Sequence, residues 1–121
     1  MRTTVLTAAA VLTVFLSVPA PAGLNLEYSS YLGGAWNDLG YGLALNGEGH
    51  IILCGHTSSS DFPTSDPYQP EKAGSSDIFV TAFSSTGSAL LYSTFLGGSG
   101  VDEGYGVTVD GADRPVLVGK T

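Results

Sequence analysis

Apolar and polar positions divide the chain into two unequal parts. Val5 to Val18 is apolar apart from Thr and Ser, a run of 14 residues preceded by Arg2 and followed by Ala20-Pro21-Ala22-Gly23. A lasting membrane span needs about 20 apolar residues. A positive start, a shorter apolar stretch and small residues ahead of a cleavage point instead make a secretory signal. The pattern predicts a signal peptide over 1–22 and a mature chain from Gly23 with no membrane span, the alternative being a retained N-terminal anchor. No Cys follows the run, which argues against a lipid anchor.

Beyond Gly23 the period shortens to two. Tyr41, Leu43 and Leu45 alternate with Gly42 and Ala44, and Tyr105, Val107 and Val109 alternate with Gly106 and Thr108. Such alternation predicts strands with bulk on one face and a small-residue face that another sheet can approach closely. Asn46-Gly47 and Asp110-Gly111 are turn dipeptides leading into second strands at 51–56 and 116–120. A third strand is expected at 78–83, turned by Ser85-Thr86-Gly87 into a fourth at 90–96, which Gly97-Gly98 ends. Residues 24–32 read as a lone outer-type strand. The stretch 57–76 has no strand pattern and holds Pro63, Pro67 and Pro70. Loops longer than about 12–15 residues are usually functional or disordered.

The two alternating segments belong to a longer repeat. Tyr28-Ser29-Ser30-Tyr31-Leu32-Gly33-Gly34 returns as Tyr92-Ser93-Thr94-Phe95-Leu96-Gly97-Gly98, at an offset of 92 − 28 = 64 residues. The same offset pairs Asp38, Gly40 and Gly42 with Asp102, Gly104 and Gly106, and Gly47, Leu53, Gly55 and Thr57 with Gly111, Leu117, Gly119 and Thr121. Repeats of such length point to propellers, solenoids or arrays. Four antiparallel strands in about 60 residues is the content of a propeller blade. The expected fold is therefore all-β, with repeat copies starting near 28 and 92 within a region 23–121. It amounts to about one complete four-stranded blade plus partial neighbours. A closed ring takes typically 4–8 blades, so further blades of the same or other chains would be needed to close one.

The Y-S-[ST]-[YF]-L-G-G…D-x-G-Y-G core, together with Thr57-Ser58-Ser59-Ser60-Asp61-Phe62-Pro63-Thr64, resembles the SBBP-type seven-bladed β-propeller repeats of bacterial secreted and surface proteins. The resemblance covers nearly all of the mature chain. It implies many tandem copies, and brings no shared catalytic residues. This chain departs from the family pattern in holding fewer than two copies, and in carrying Asp113-Arg114-Pro115 where the turn leads into the next strand.

Composition agrees with short strands and tight turns. Charged residues make up 12%, against a usual share of about 25%, and Gly numbers 17. Loss of Arg2 with the signal takes the formal charge from −7 to −8, from 3 basic against 11 acidic residues. Nucleic-acid binding relies on Lys and Arg neutralising phosphates, so it is not expected. Cys54 is the sole cysteine; no internal disulfide can form, and a lone Cys on an apolar strand behaves as a small buried hydrophobe.

Candidate chemistry is sparse. Asp38 and Asp102 occupy equivalent places, and a carboxylate required in each copy reads as architectural, accepting backbone N–H bonds at the turn between blades. Calcium is the one cofactor that such acids suggest. Asn37-Asp38 lacks the alternating acidic pattern of a calcium loop, and no cofactor or metal is expected. His50, Cys54 and His56 share strand parity, but two of them, about 6.6 Å apart at Cα, do not make a closed zinc site, and Arg114, Val118 and Lys120 replace them in the second copy. No G-x-S-x-G motif is present, and Gly119-Lys120-Thr121 lacks the first Gly of a phosphate loop. Catalytic residues are expected to be absent. Phe62 and Tyr68 are the aromatic anchors of the long segment, either facing a ligand or tucked as a strap between blades; the repeated motif favours the strap. Trp36 is expected to fill a gap between blades rather than stack on a sugar.

The function expected is a secreted or cell-surface repeat module acting as a structural and binding scaffold for an extracellular protein or glycan. The competing expectations are a fragment of an extracellular polysaccharide hydrolase and a truncated reading frame without function. Catalysis would place unique acids in one copy, whereas a scaffold repeats its polar residues.

Overall fold

The computed structural model describes residues 11–12, 16–17, 25–26 and 28–121, with side chains from Tyr28 onward. The expected signal peptide, 1–22, lies outside the described residues apart from the backbone of two short strands. These are β1 (Val11–Leu12) and β2 (Leu16–Ser17); β3 (Asn25–Leu26) pairs antiparallel with β2, and β4 (Tyr31–Leu32) with β1. The single strand expected over 24–32 is thus two separate pieces. Each has only a two-residue partner, and an extended backbone needs a partner for every donor and acceptor it buries. No helix among the described residues is long and apolar enough to cross a membrane.

The centre of the molecule is a four-stranded antiparallel meander. Its strands are β5 (Asp38–Leu45), β6 (Ile51–Thr57), β7 (Asp77–Phe83) and β8 (Leu90–Leu96), in that spatial order. A two-stranded sheet follows, formed by β9 (Glu103–Val109) and β10 (Pro115–Lys120). All six strands fall where the alternation and turn residues place them. Among the described residues the sheets are open, one of four strands and three of two, with no closed ring.

Ile51-Ile52-Leu53-Cys54 lies on the central strand β6 and is buried throughout. A strand covered on both faces reads as a continuous apolar run rather than an alternation. On one face, Ile51, Leu53, Phe79 and Phe95 gather with Leu32 and with Phe62, whose ring stacks on Phe79 at 4.6 Å between centroids. On the other, Ile52, Val80 and Ala82 are covered by Val107, Val109 and Leu117 of the β9–β10 hairpin. The small-residue face makes this close stacking possible. A Cβ on Gly42 would stand 2.9 Å from the Val107 nitrogen and 3.0 Å from the Gly106 Cα.

Tyr41 does not share a face with Leu43 and Leu45, as strict alternation would have it. The pairing passes from Gly40↔Gly55 to Gly42↔Cys54 and skips Tyr41; in the second sheet it passes from Gly104↔Gly119 to Gly106↔Val118 and skips Tyr105. Each Gly-Tyr-Gly is therefore a β-bulge, which re-aims one side chain and bends its strand. Opposite the bulge no side chain is tolerated: a Cβ on Gly55 would fall 1.8 Å from the Leu39 carbonyl oxygen.

The hairpin turns are also longer than a two-residue Asn-Gly corner. The Asn46 Oδ1 accepts from the backbone N–H of Glu48 (3.0 Å) and His50 (2.8 Å), and the Asp110 Oδ1 accepts from those of Ala112 (2.9 Å) and Arg114 (3.0 Å). The left-handed residue comes at Gly49 (φ 77°) and at its counterpart Asp113 (φ 59°). These are three-residue loops with a left-handed residue at the end. Asp113, one of the departures from the repeat pattern, adopts the backbone conformation that Gly49 supplies in the first copy.

Candidate functional site

The repeated motifs meet at one end of the central sheet and lock together. Asp38 opens β5, is 3% exposed, and its carboxylate accepts from the Gly34 N–H (2.8 Å), the Ser59 hydroxyl (3.1 Å) and the Thr57 hydroxyl. Ser59 in turn accepts from the Trp36 N–H (2.8 Å), and Asp61 accepts from the Ala35 N–H (2.9 Å). Gly-Gly, the aspartate and the Thr-Ser-Ser-Ser-Asp stretch are thus parts of a single clamp around the turn from β4 to β5. In the second copy the Gly98 N–H donates to Asp102 at 2.9 Å, matching Gly34 and Asp38. The counterparts of Ser59 and Asp61 would be residues 123 and 125, from 59 + 64 and 61 + 64.

Asp77 is the acid that repeat reasoning missed. It is fully buried at the start of β7 and accepts from the N–H groups of Ala73 and Gly74 (both 2.9 Å) and from the Gln69 side-chain amide (2.8 Å). Its counterpart would be residue 141, so self-similarity within this sequence carried no signal for it.

The long segment between β6 and β7 is a strap along the outer edge of β8. Ser65 and Ser93 exchange backbone hydrogen bonds at 3.0 and 2.8 Å, the Phe95 N–H donates to the Gln69 carbonyl at 3.2 Å, and the Ser93 hydroxyl donates to the Pro63 carbonyl at 2.6 Å. Phe62 is 3% exposed in the core and cannot face a ligand, because the Phe79 and Phe95 rings already cover it. Tyr68, 87% exposed, is not tucked in: it stands at the top of the strap between Ser65 and Gln69, which hold the backbone down. Trp36 is also exposed, at 67%, rather than filling a gap, since the clamp holds it by its backbone only.

At the same end of the sheets, the two bulged tyrosines bring a second group of side chains together. Tyr41 and Tyr105 pack edge to face at 6.2 Å, and Tyr41 lies 5.5 Å from the His56 ring. The Tyr105 hydroxyl donates to Glu103 Oε2 at 2.5 Å, and Lys120 Nζ stands 3.5 Å from that oxygen. Donation from Tyr105, with the positive charge of Lys120 adding to it, holds the Glu103 carboxyl below its ordinary range, and the same hydrogen bond pushes Tyr105 up. Glu103 is a unique acid, with Leu39 as its counterpart. A general acid requires a raised carboxyl; Glu103 is biased the other way, toward accepting hydrogen bonds.

The remaining candidates separate. Burial pushes the Cys54 thiol up, partly offset by the Gly42 N–H, which opposes the thiolate that a nucleophile or metal ligand requires. His50 sits in the turn outside β6, with its Nδ1 3.2 Å from the Asn46 amide and 3.3 Å from Glu48. His56 packs on Tyr41. Among the described residues no three His, Cys, Asp or Glu side chains are gathered to hold a metal ion. Comparison with known proteins gives no match to a family model, a curated protein or a solved structure.

Proposed function

We propose that this chain is an exported repeat module of β-propeller type, resembling the SBBP-type repeats, whose stacked blades serve as a structural and binding scaffold for an extracellular protein or glycan. The observation that carries this is the division of labour among its polar groups. Asp38 and Asp102, and Asn46 and Asp110, accept backbone N–H bonds at equivalent places in both copies, while the exposed side chains near them include three aromatics, Tyr41, Tyr105 and Trp36. Repeated polar groups committed to the backbone serve architecture, and exposed rigid aromatics bring contact area at low entropic cost.

Binding and turnover are to be measured on the same material. The exported protein is titrated with soluble extracellular polysaccharides and their oligosaccharides, following the emission of Trp36, the chain's only tryptophan, and the release of reducing ends. The scaffold reading expects no turnover, and a saturable emission change if the partner is a glycan. A flat titration assigns the role to a protein partner. Turnover by the purified protein would overturn the scaffold in favour of the hydrolase.

A further inference from the structure

We propose that copies of this chain associate head to tail, the leucine row of β5 on one copy seating on the open valine face of the β9–β10 hairpin of the next. The inference rests on the repeat alone, so it stands or falls separately from any ligand of the scaffold.

The chain already contains this interface once. Val107, Val109 and Leu117 of the hairpin cover Ile52, Val80 and Ala82 of the central sheet, with Gly42 close against Gly106 and Val107. Moving each covering residue back by 64 positions gives Leu43, Leu45 and Leu53. Of these, Leu53 is buried beneath Phe62 and its neighbours, but Leu43 and Leu45 are 49% and 53% exposed. Moving the covered positions forward gives the other half: Gly42, Ile52 and Cys54 become Gly106, Val116 and Val118. Where Ile52 and Cys54 are buried, Val116 and Val118 are 51% and 65% exposed.

The hairpin face has room for an occupant. A Cβ on Gly106 would meet only Val118, at 3.3 Å, where one on Gly42 would strike the neighbouring sheet. An open depression of about 310 Å³ lies there, lined by Gly106, Val107, Thr108, Val116, Leu117 and Val118. None of these residues is charged. The donor row and the acceptor face are different patches on opposite sides of the stack, and each is the repeat-equivalent of part of one half of an interface that forms within the chain, the β5–β6 share of it. An interface between unlike patches is heterologous and adds copies until it closes into a ring or runs on as a filament.

The experiment is multi-angle light scattering and sedimentation velocity on the mature chain, over a concentration series, for wild type, Leu45→Glu, Val118→Glu and an equimolar mixture of the two variants. Wild type is expected to exceed the mass of two chains as concentration rises. Each variant alone is expected to fall to the mass of one chain, since its single intact patch then has no counterpart. The mixture is expected to give a one-to-one dimer and nothing larger, because the intact valine face of one variant meets the intact leucine row of the other. Wild type at one-chain mass throughout would overturn the proposal, as would variants that still associate, which would assign contact to the free edge of β10. A mixture that stays at one-chain mass while wild type assembles would also overturn it. Both positions are exposed, and circular dichroism with thermal melting checks that each variant folds. Leu43→Glu with Val116→Glu supplies a second pair should either member of the first fail to fold.

Discussion

The central sheet and the β9–β10 hairpin share one pattern of residues and differ in nearly everything that surrounds it. Ile52 and Cys54 are 2% and 0% exposed, while Val116 and Val118, their counterparts, are 51% and 65% exposed. Asp38 is held by a backbone N–H and two hydroxyls, and Asp102 by a single N–H. The bulge at Tyr41 and the loop at Asn46 are nonetheless reproduced at Tyr105 and Asp110. Local geometry is therefore written into each copy, whereas burial is conferred by whatever stacks on it. This is the behaviour of repeat architectures, in which stability is the sum of a unit's own contribution and its interfaces with neighbours.

The sharpest way to break the comparison is to remove the aspartate from each clamp. Asp38→Ala leaves the buried Gly34 N–H and Ser59 hydroxyl without an acceptor and the Thr57 hydroxyl with only the Ser59 carbonyl at 3.4 Å, and is expected to cost about 3 kcal/mol, against about 1 kcal/mol for Asp102→Ala; urea denaturation of the two variants measures both. Equal losses would mean that the clamps are equally complete. Next comes the stacking face. Cys54→Ser places a hydroxyl among buried apolar groups and is expected to cost about 2 kcal/mol, whereas Val118→Ser should stay within about 0.5 kcal/mol of wild type in the monomer.

The loops sharpen the comparison from the other side, because here the copies should behave alike. Gly49→Ala forces a side chain into the left-handed region at a cost of about 1 kcal/mol, and Asp113→Gly should recover up to about 1 kcal/mol at the equivalent position. Thermal melting of both variants, with shifts of opposite sign, is the check. The smallest effect is electrostatic and belongs to the hairpin alone, where Glu103 replaces Leu39. Its carboxyl is held low in the folded chain by the Tyr105 hydroxyl and then by Lys120. It therefore contributes stability above the unfolded Glu value of about 4.3, and that contribution is lost as the pH falls through the lower folded value. The melting temperature of wild type should drop on acidification below about pH 4.3 slightly more than that of Glu103→Gln. Added salt should shrink the difference, since exposed pairs are screened.

Much of the fold was legible because its strands alternate and its turns carry Gly, Asn and Asp at regular places. Residues 78–83 and 90–96 could be placed from apolar runs and the intervening turn alone, and the repeat offset tied 38–57 to 102–121. Less legible was anything that depended on a partner distant in sequence. Alternation assigned Tyr41 to the face of Leu43, since a bulge leaves no mark other than the two glycines around it. Phe62 and Tyr68, six residues apart on one strap, looked equivalent until the Phe79 ring was found beneath the first and solvent around the second. Asp77 was invisible because the repeat could flag only positions that occur twice in the sequence. The tyrosine pair with Glu103, His56 and Lys120 was hidden for another reason: the offset relates Tyr41 to Tyr105 and His56 to Lys120 as equivalents in separate copies, and carries no sign that the two copies meet face to face.

The strap along β8 has a consequence for solubility. A sheet whose outermost strand is open presents a row of unpaired backbone groups on which another chain can add a strand. Here Ser65 and Gln69 occupy that strand's free edge with the unit's own backbone. With those positions taken, a crowded chain offers a passing strand no bare Ser93 or Phe95 backbone on that flank, so contact between molecules is steered away from edge pairing and toward the faces of the sheets.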